Sequence, residues 1–163
     1  MDRLWAGWRS EYIEGTSEPR AEGCVFCALI NSAEADEETY VLWRGTHTAA
    51  LLNAYPYTSG HLMVMPRDHV GELEDLSDDV SAEMWAAVTD AVRALKAAYR
   101  PEGVNVGLNL GTAAGAGMPG HLHVHALPRW AGDTNFMTSV AEARVMPESL
   151  SVTWQKLRKA WPV

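Results

Sequence analysis

Three histidines alternate with apolar residues in the segment Gly120-His121-Leu122-His123-Val124-His125-Ala126-Leu127-Pro128-Arg129. Alternate residues of a β-strand share a face, so this segment predicts a strand whose histidines line up at intervals of about 6.5 Å. Leu122, Val124 and, after them, Leu127 are expected to point the other way, into the core. A row of histidines backed by an apolar face suits metal ligation, or nucleophilic and acid–base catalysis.

The loop that precedes these histidines is built from small residues. Between Asn109 and Gly120 it contains four glycines and no large side chain except Met118. Backbone N–H groups in such a loop can approach an anion closely. The loop is not a Walker A loop, because no Gly-Lys-Ser/Thr follows it. Its place directly before the histidines indicates a phosphate held beside a histidine nucleophile.

Length, charge and composition indicate which classes of protein this sequence can belong to. With 163 residues, 47% of them hydrophobic, residues 1–163 are expected to form a single domain. The formal net charge of −8 argues against binding to nucleic acid. Residues 1–79 carry 5 basic and 15 acidic side chains, whereas residues 80–163 carry 8 basic and 6 acidic ones. The part of the chain that contains the three alternating histidines is therefore compatible with binding an anion. The sequence shows no secretory h-region and no membrane-spanning run, so we expect a cytoplasmic protein without membrane contact.

Periodicity in the rest of the chain predicts an α+β fold with a mainly antiparallel five-stranded sheet, one long helix and a C-terminal helix. The strands are expected at 40–43, 46–52, 61–65, 103–110 and 121–127. The long helix should follow the N-cap Ser77 and end before Pro101, and the last helix should follow Pro147-Glu148-Ser149. We expect residues 1–38 to form an N-terminal segment anchored by Trp5, Trp8 and Tyr12, and residues 139–163 to form a C-terminal helical extension.

The two cysteines of the chain form the pair Cys24-Val25-Phe26-Cys27. A redox pair of the thioredoxin type would follow a strand, and residues 18–23 are not strand-like. The same spacing supplies two of the four ligands of a tetrahedral zinc site, which then needs two more from elsewhere in the chain. The residues alone leave both interpretations open.

The sequence resembles the histidine-triad (HIT) family, whose signature is H-φ-H-φ-H-φ-φ with φ apolar. The seven residues from His121 to Leu127 match it at every position. Leu52-Asn53 and the segment from Gly60 to Pro66 resemble the nucleoside-binding strands of the family. Three further segments resemble one branch of the family, the dinucleoside tetraphosphate phosphorylases and hydrolases. These segments are Leu4-Trp5-Ala6-Gly7-Trp8-Arg9, Pro128-Arg129-Trp130 and Gly132-Asp133.

The resemblance implies a HIT-like fold and an enzyme that cleaves dinucleoside polyphosphates, such as diadenosine tetraphosphate, or related adenylated phosphates. The middle histidine, His123 here, would attack the α-phosphorus and hold the nucleotide covalently until water, inorganic phosphate or another acceptor releases it. His125 would contact a phosphoryl oxygen. The other residues expected to contact the nucleotide or its phosphates are Asn53 at the ribose, His61 near the active site, Asn109, the loop glycines Gly115 and Gly117, and Arg129.

The resemblance also implies a structural zinc ion and a two-fold homodimer. The zinc ligands would be Cys24, Cys27, His69 and His121, which leaves His123 and His125 available for chemistry. Two other functions stay open. One is a metal-dependent hydrolase that holds zinc with all three histidines of the triad, and the other is a nucleotide-binding sensor without turnover.

Overall fold

The computed structural model describes residues 23–133 and 147–162, and its centre is one five-stranded sheet. The strands stand in the order β1-β2-β3-β5-β4, and every neighbouring pair is antiparallel. Their bounds are β1 Val41–Arg44, β2 Thr48–Leu52, β3 Leu62–Pro66, β4 Gly103–Leu108 and β5 Val124–Arg129. The helices are α1 Val25–Ile30, α2 Asp36–Thr39, α3 Asp78–Tyr99 and α4 Leu150–Ala160, with short 3₁₀ turns at Leu73–Asp75 and Thr112–Ala114. The predicted α+β fold with five strands, a long helix and a C-terminal helix is confirmed.

The long helix α3 covers one face of the sheet. The Ser77 side chain caps it by accepting the N–H of Val80 at 3.4 Å, and Arg100 ends it in the left-handed conformation just before Pro101. Its buried residues recur at helical spacing and pack on the sheet side chains of the same face. That core comprises Met84, Ala87, Val88, Ala91, Ala94 and Leu95 of the helix with Ala50, Leu52, Leu62, Val64, Val124 and Ala126 of the sheet.

The C-terminal helix α4 closes the same core. Ser149 caps it by accepting the N–H of Val152, and Leu157 is fully buried. The indole N–H of Trp154 donates to the carbonyl oxygen of Val41 at 2.8 Å, which ties α4 to the first strand. Trp161 stacks on Trp43, with ring centroids 6.0 Å apart.

The opposite face of the sheet is covered by the short helix α1 near β2 and β3. Phe26 and Ile30 of this helix pack on Leu51, Met63 and Met65. Because α3 and α1 cover opposite faces, β2 and β3 are buried along their whole length. The histidines of the triad share the face that α1 partly covers.

Two details of the predicted fifth strand are wrong. His121 and His123 lie before β5, because the N–H of Leu122 donates to the carbonyl oxygen of Val70 at 2.7 Å and not to a neighbouring strand. Leu127 is half-buried and shares the face of His125, so Ala126 takes the expected place in the core. The alternation of a strand requires this, since positions 125 and 127 are two residues apart.

In the described part of the chain, no helix combines the length and the apolar composition that crossing a membrane requires. The predicted anchors Trp5, Trp8 and Tyr12 lie outside the described residues, as do residues 139–146 of the predicted C-terminal extension.

Candidate active site and metal cluster

His123 and His125 lie side by side at the start of β5, the first just before the strand and the second within it. His125 belongs to β5 and pairs with Met63 of β3 and Gly107 of β4. The ring centroids of His123 and His125 are 4.9 Å apart, and the ring of Phe26 packs on His123 at 5.1 Å. His123 is only 6% exposed, so its ring is held in one place by its neighbours.

The hydrogen bond of His123 determines which of its nitrogens can react. Its Nδ1 lies 2.8 Å from the carbonyl oxygen of His121. A carbonyl oxygen can only accept, so Nδ1 carries the proton and Nε2 of the neutral ring keeps its lone pair. Burial lowers the pKa of His123, which favours this neutral form. The ring is therefore arranged as a nucleophile that acts through Nε2.

A chain of hydrogen bonds orients His125 through His61. The backbone N–H of Tyr57 donates to Nδ1 of His61 at 3.1 Å, so His61 carries its proton on Nε2. That Nε2 lies 2.9 Å from Nδ1 of His125 and donates to it. His125 must then carry its own proton on Nε2, where it can donate to a ligand. Burial, and next the nearby His123, lower the pKa of His125 to about 4.

Asn53, the residue expected at the ribose, lies beside His61 at the end of β2. Its Nδ2 is 3.4 Å from Nδ1 of His61, and its Oδ1 accepts the N–H of Tyr55 at 2.9 Å. The side chain is half-buried. The structure thus brings Asn53, His61, His125 and His123 into one continuous row across the sheet.

The glycine-rich loop returns the chain from β4 to His121, but part of it is closed by its own hydrogen bonds. Gly111 and Gly115 have positive φ values of 74° and 92°, which their lack of a side chain permits. The N–H of Gly115 donates to Thr112, so the predicted phosphate contact through this N–H is not supported. Asn109 donates from Nδ2 to the carbonyl oxygen of Gly115 at 3.4 Å and braces the same turn.

Arg129, predicted to contact phosphate, lies away from the triad. It pairs with Gly103, four residues along β5 from His125, which corresponds to about 13 Å. Its Nε and Nη2 donate to both carboxylate oxygens of Asp133, at 2.6 and 2.8 Å. Its Nη1 donates to Oδ1 of Asn105 at 2.7 Å. In this structure the guanidinium is bound to Asp133 and Asn105, so a contact between Arg129 and phosphate stays a prediction.

Four side chains from three separate segments meet beside the triad. The ligand atoms of Cys24, Cys27, His69 and His121 all lie within 4.8 Å of one another. Nδ1 of His121 is 3.3 Å from Sγ of Cys24 and 3.4 Å from Sγ of Cys27, and Nδ1 of His69 is 3.5 Å from Sγ of Cys27. Tetrahedral zinc with ordinary bond lengths would place sulfur and nitrogen about 3.6 Å apart. The spacing therefore fits a Cys₂His₂ metal site.

The orientation of His121 also fits a metal ligand. Its Nε2 lies 2.9 Å from the carbonyl oxygen of Pro66 and must carry the proton. Its Nδ1 therefore presents a lone pair to the two cysteines, and the carbonyl fixes the ring as outer partners of metal-bound histidines do. The cysteines form no disulfide.

Two aromatic residues at the site were not identified from the sequence. Phe26 packs on both His121 and His123, and Tyr57 lies 4.5 Å from His61 and 6.1 Å from His125 between ring centroids. Phe26 lies between Cys24 and Cys27, and Tyr57 lies four residues before His61. This closeness in sequence to candidate site residues could have identified both aromatic residues. Their contacts with the triad depend on how α1 and the β2–β3 loop fold over the sheet.

The chain is similar in sequence and in structure to known histidine-triad proteins. Residues 34–132 match the family model of the HIT domain. The AP-4-A phosphorylase of Mycobacterium tuberculosis is 43% identical over 99% of this chain and 85% of its own length. The crystal structure of a Zn-bound histidine triad family protein from Mycobacterium smegmatis is 28% identical, covers 85% of this chain and 92% of its own, and superposes with a TM-score of 0.68.

A second solved structure is similar to the same extent. A hypothetical histidine triad nucleotide-binding protein from Sulfolobus tokodaii is 28% identical, covers 84% of this chain and 91% of its own, and also has a TM-score of 0.68. The match of the family model, the triad from His121 to His125 and the sheet that carries it lead to one conclusion: the chain belongs to the HIT family, as the resemblance predicted.

Proposed function

We propose that this protein cleaves dinucleoside polyphosphates, such as diadenosine tetraphosphate, or related adenylated phosphates through a covalent nucleotidyl-His123 intermediate. The observation that carries the proposal is the fixed pair of tautomers: a lone pair on Nε2 of His123 next to an N–H donor on Nε2 of His125. The similarity to a protein named AP-4-A phosphorylase supports this substrate class and favours inorganic phosphate as the acceptor.

In the first step, the lone pair on Nε2 of His123 forms a bond to the α-phosphorus. The bond from that phosphorus to the bridging oxygen breaks, and the oxygen takes the electron pair. From diadenosine tetraphosphate the leaving group is ATP. The ring of His123 becomes cationic, and the hydrogen bond from its Nδ1 to the carbonyl of His121 stabilises that charge. His125 donates from Nε2 to a phosphoryl oxygen and offsets the charge that develops there.

In the second step, an oxygen of the acceptor attacks the same phosphorus from the side that the leaving group has vacated. The bond to Nε2 of His123 breaks, and its electron pair returns to the ring. Inorganic phosphate gives ADP, whereas water gives AMP and releases a proton. The proton on Nδ1 stays in place through both steps, so His123 needs no separate base.

The remaining contacts follow the row of residues across the sheet. Asn53 is proposed to bind the ribose, because it lies beside His61 at the end of the row. Asn109 and the N–H of Gly117 are proposed to bind phosphate oxygens, since their loop leads directly into the triad. His61 is proposed to act as a positioning residue that sets the tautomer of His125.

We also propose that zinc occupies the cluster of Cys24, Cys27, His69 and His121. Bound zinc would supply structural cross-linking between α1, the segment after β3 and the residue that starts the triad. Four protein donors would complete a tetrahedral site and would leave a bound zinc ion no open position for substrate. The separate partners of the three triad rings give no support to a zinc ion held by all three of them.

Two further features of the proposal rest on the sequence and the family resemblance. A two-fold homodimer is proposed, and light scattering that shows a monomer would contradict it. A cytoplasmic location without nucleic-acid partners remains a prediction from composition.

Product analysis tests the proposed function directly. The purified full-length protein is incubated with diadenosine tetraphosphate, with and without inorganic phosphate. ADP and ATP that form only with phosphate would establish a phosphorylase, and AMP and ATP without it would establish a hydrolase. Acid-labile labelling of His123 by substrate, detected by mass spectrometry, would support the intermediate. Tight nucleotide binding without any turnover would instead favour the sensor.

A further inference from the structure

A shallow groove runs from His125 towards the β4 edge of the sheet, on the side opposite to Asn53. It has a volume of about 220 Å³ and is lined by Tyr57, Asn105, Gly107, Asn109, His125 and Leu127, among others. The register places Gly107 directly beside His125, and Asn105 beside Leu127. Residues opposite each other in antiparallel strands point to the same face, so these four share the face of the triad.

The position of the groove relates it to the far half of a dinucleotide. Asn53 and His61 lie on one side of His125, towards β2 and β3, whereas the groove extends to the other side, towards β4. Tyr57 of the β2–β3 loop lines the end of the groove next to His61. A substrate whose first ribose is at Asn53 and whose phosphate is at His125 therefore extends its remaining part towards Gly107. A substrate with two nucleosides needs a second place for a base in that direction.

The lining of the groove fits an uncharged aromatic group with polar edges. Tyr57 is 45% exposed, and its ring is nearly parallel to that of His125, at 29°. Leu127 adds an apolar surface, and none of the described residues that line the groove is an Asp, Glu, Lys or Arg. A flat base can pack on such a ring whatever its identity, because every base has a π-face. The volume is below the range of about 300–1,000 Å³ typical of sites for whole ligands, so it suits part of a substrate.

Arg129 holds one residue of the groove, Asn105, in place. Its Nη1 donates to Oδ1 of Asn105, so the amide of Asn105 keeps its Nδ2 hydrogens for another acceptor. Asn105 is exposed and lies at the far end of the groove from His125. An amide donor in this position suits an acceptor nitrogen or oxygen on a base or ribose.

We propose that this groove binds the distal nucleoside of a dinucleoside polyphosphate, the one that departs with the leaving group. The proposal rests on the proposed function and adds a second nucleoside subsite to it. Tyr57 and Leu127 pack on the base, and Asn105, held by Arg129, binds its polar edge.

The test compares two substrates that differ only in the distal nucleoside. These are diadenosine tetraphosphate and adenosine 5′-tetraphosphate, and the quantity measured is the ratio of their kcat/KM values. Gly107→Val places a side chain in the groove, and a Cβ at Gly107 meets no atom of the described residues within 4 Å, so the strand should tolerate it. Gly103→Val is the matched control on the same strand and face, outside the lining of the groove, and its Cβ meets only the Cβ of Arg129 at 3.9 Å.

The unaltered protein and Gly103→Val should prefer the dinucleotide by about tenfold or more, and Gly107→Val should bring the ratio close to one. Circular dichroism and the melting temperature of both variants check that they fold. A ratio near one in the unaltered protein, or a ratio that Gly107→Val leaves unchanged, would overturn the subsite alone. An unaltered protein that cleaves neither substrate would overturn the proposed function and the subsite with it.

Discussion

Nδ1 of His123 donates to the carbonyl oxygen of His121 at 2.8 Å, and the ring of the same His121 belongs to the cysteine–histidine cluster. One residue thus serves two sites: its side chain faces the cluster and its backbone orients the proposed nucleophile. The ring of His121 is held from the other side by the carbonyl of Pro66 at 2.9 Å. A disturbance of the cluster is therefore expected to reach His123 through a single peptide unit.

Replacement of the proposed nucleophile should abolish turnover. His123→Ala removes the group that we propose attacks phosphorus, and we expect kcat to fall by at least about 10⁴-fold. The rate of nucleotide release from diadenosine tetraphosphate measures the effect. His47→Ala is the matched control, because the side chain of His47 is exposed and lies outside the site. A His123→Ala protein with more than a hundredth of the original activity would contradict covalent catalysis.

Removal of a cluster ligand should remove the metal and destabilise the protein. Cys24→Ser should lower the zinc content from about one ion per chain to near zero and lower the melting temperature by several degrees. Elemental analysis and thermal unfolding measure the two effects. Asp68→Asn serves as a control, since Asp68 is exposed and adjacent to His69 without belonging to the cluster. Zinc content that Cys24→Ser leaves unchanged would refute the ligand set.

The hydrogen bond from His61 to His125 predicts a kinetic effect without loss of the nucleophile. His61→Phe removes the donor that holds His125 with its proton on Nε2, so we expect kcat to fall by about 10- to 100-fold with little change in KM. His61→Gln, which keeps a side-chain donor, should recover part of the loss. Steady-state kinetics with diadenosine tetraphosphate measure both. Equal losses in the two variants would indicate that His61 serves only the fold.

The lowered pKa of His125 predicts that acid destabilises the folded protein. The folded-state pKa of about 4 lies below the ordinary value of 6.5, so between these values the unfolded chain binds a proton that the folded chain does not. Stability should therefore fall as the pH falls from about 6.5 towards 4, by at most about 1.4 kcal/mol per pH unit from this group. Urea unfolding at several pH values measures it. The slope should be shallower in His125→Asn, and identical slopes would contradict the prediction.

Glu148 should stabilise the attachment of α4 to α3. Its carboxylate accepts hydrogen bonds from Tyr99, Thr153 and Lys156, and its side chain is only 11% exposed. Burial raises the pKa of Glu148, but the donors of Lys156, Tyr99 and Thr153 outweigh it, so the pKa is lowered overall. Glu148→Gln should lower the free energy of unfolding by about 1–3 kcal/mol. Urea denaturation measures it, and the exposed Glu102→Gln should have no effect.

Local patterns were enough to predict the elements and several of the site residues. The cap at Ser77, the stop at Pro101 and the alternation around Val124 are properties of neighbouring residues, so α3 and the five strands could be located before any packing was known. The observed strand ends differ from the predicted ones by at most three residues, since pairing partners decide where a ladder begins. The prediction that Leu127 points into the core is wrong, because its even spacing from His125 puts it on the face of the histidines.

By itself, the sequence determined that three histidines alternate with core residues, that small residues precede them and that two cysteines are spaced as metal ligands. Tertiary structure decided what each of these does, because the partners lie far apart in the chain. The antiparallel pairing of β3 with β5 brings His61 to His125, 64 residues away, and thereby selects the tautomer of His125. The fold of α1 over the sheet brings Cys24 to His121, 97 residues away. The pairing of β4 with β5 likewise brings Asn105 to Arg129, 24 residues away, whereas the bond from Arg129 to Asp133 is local and spans four residues.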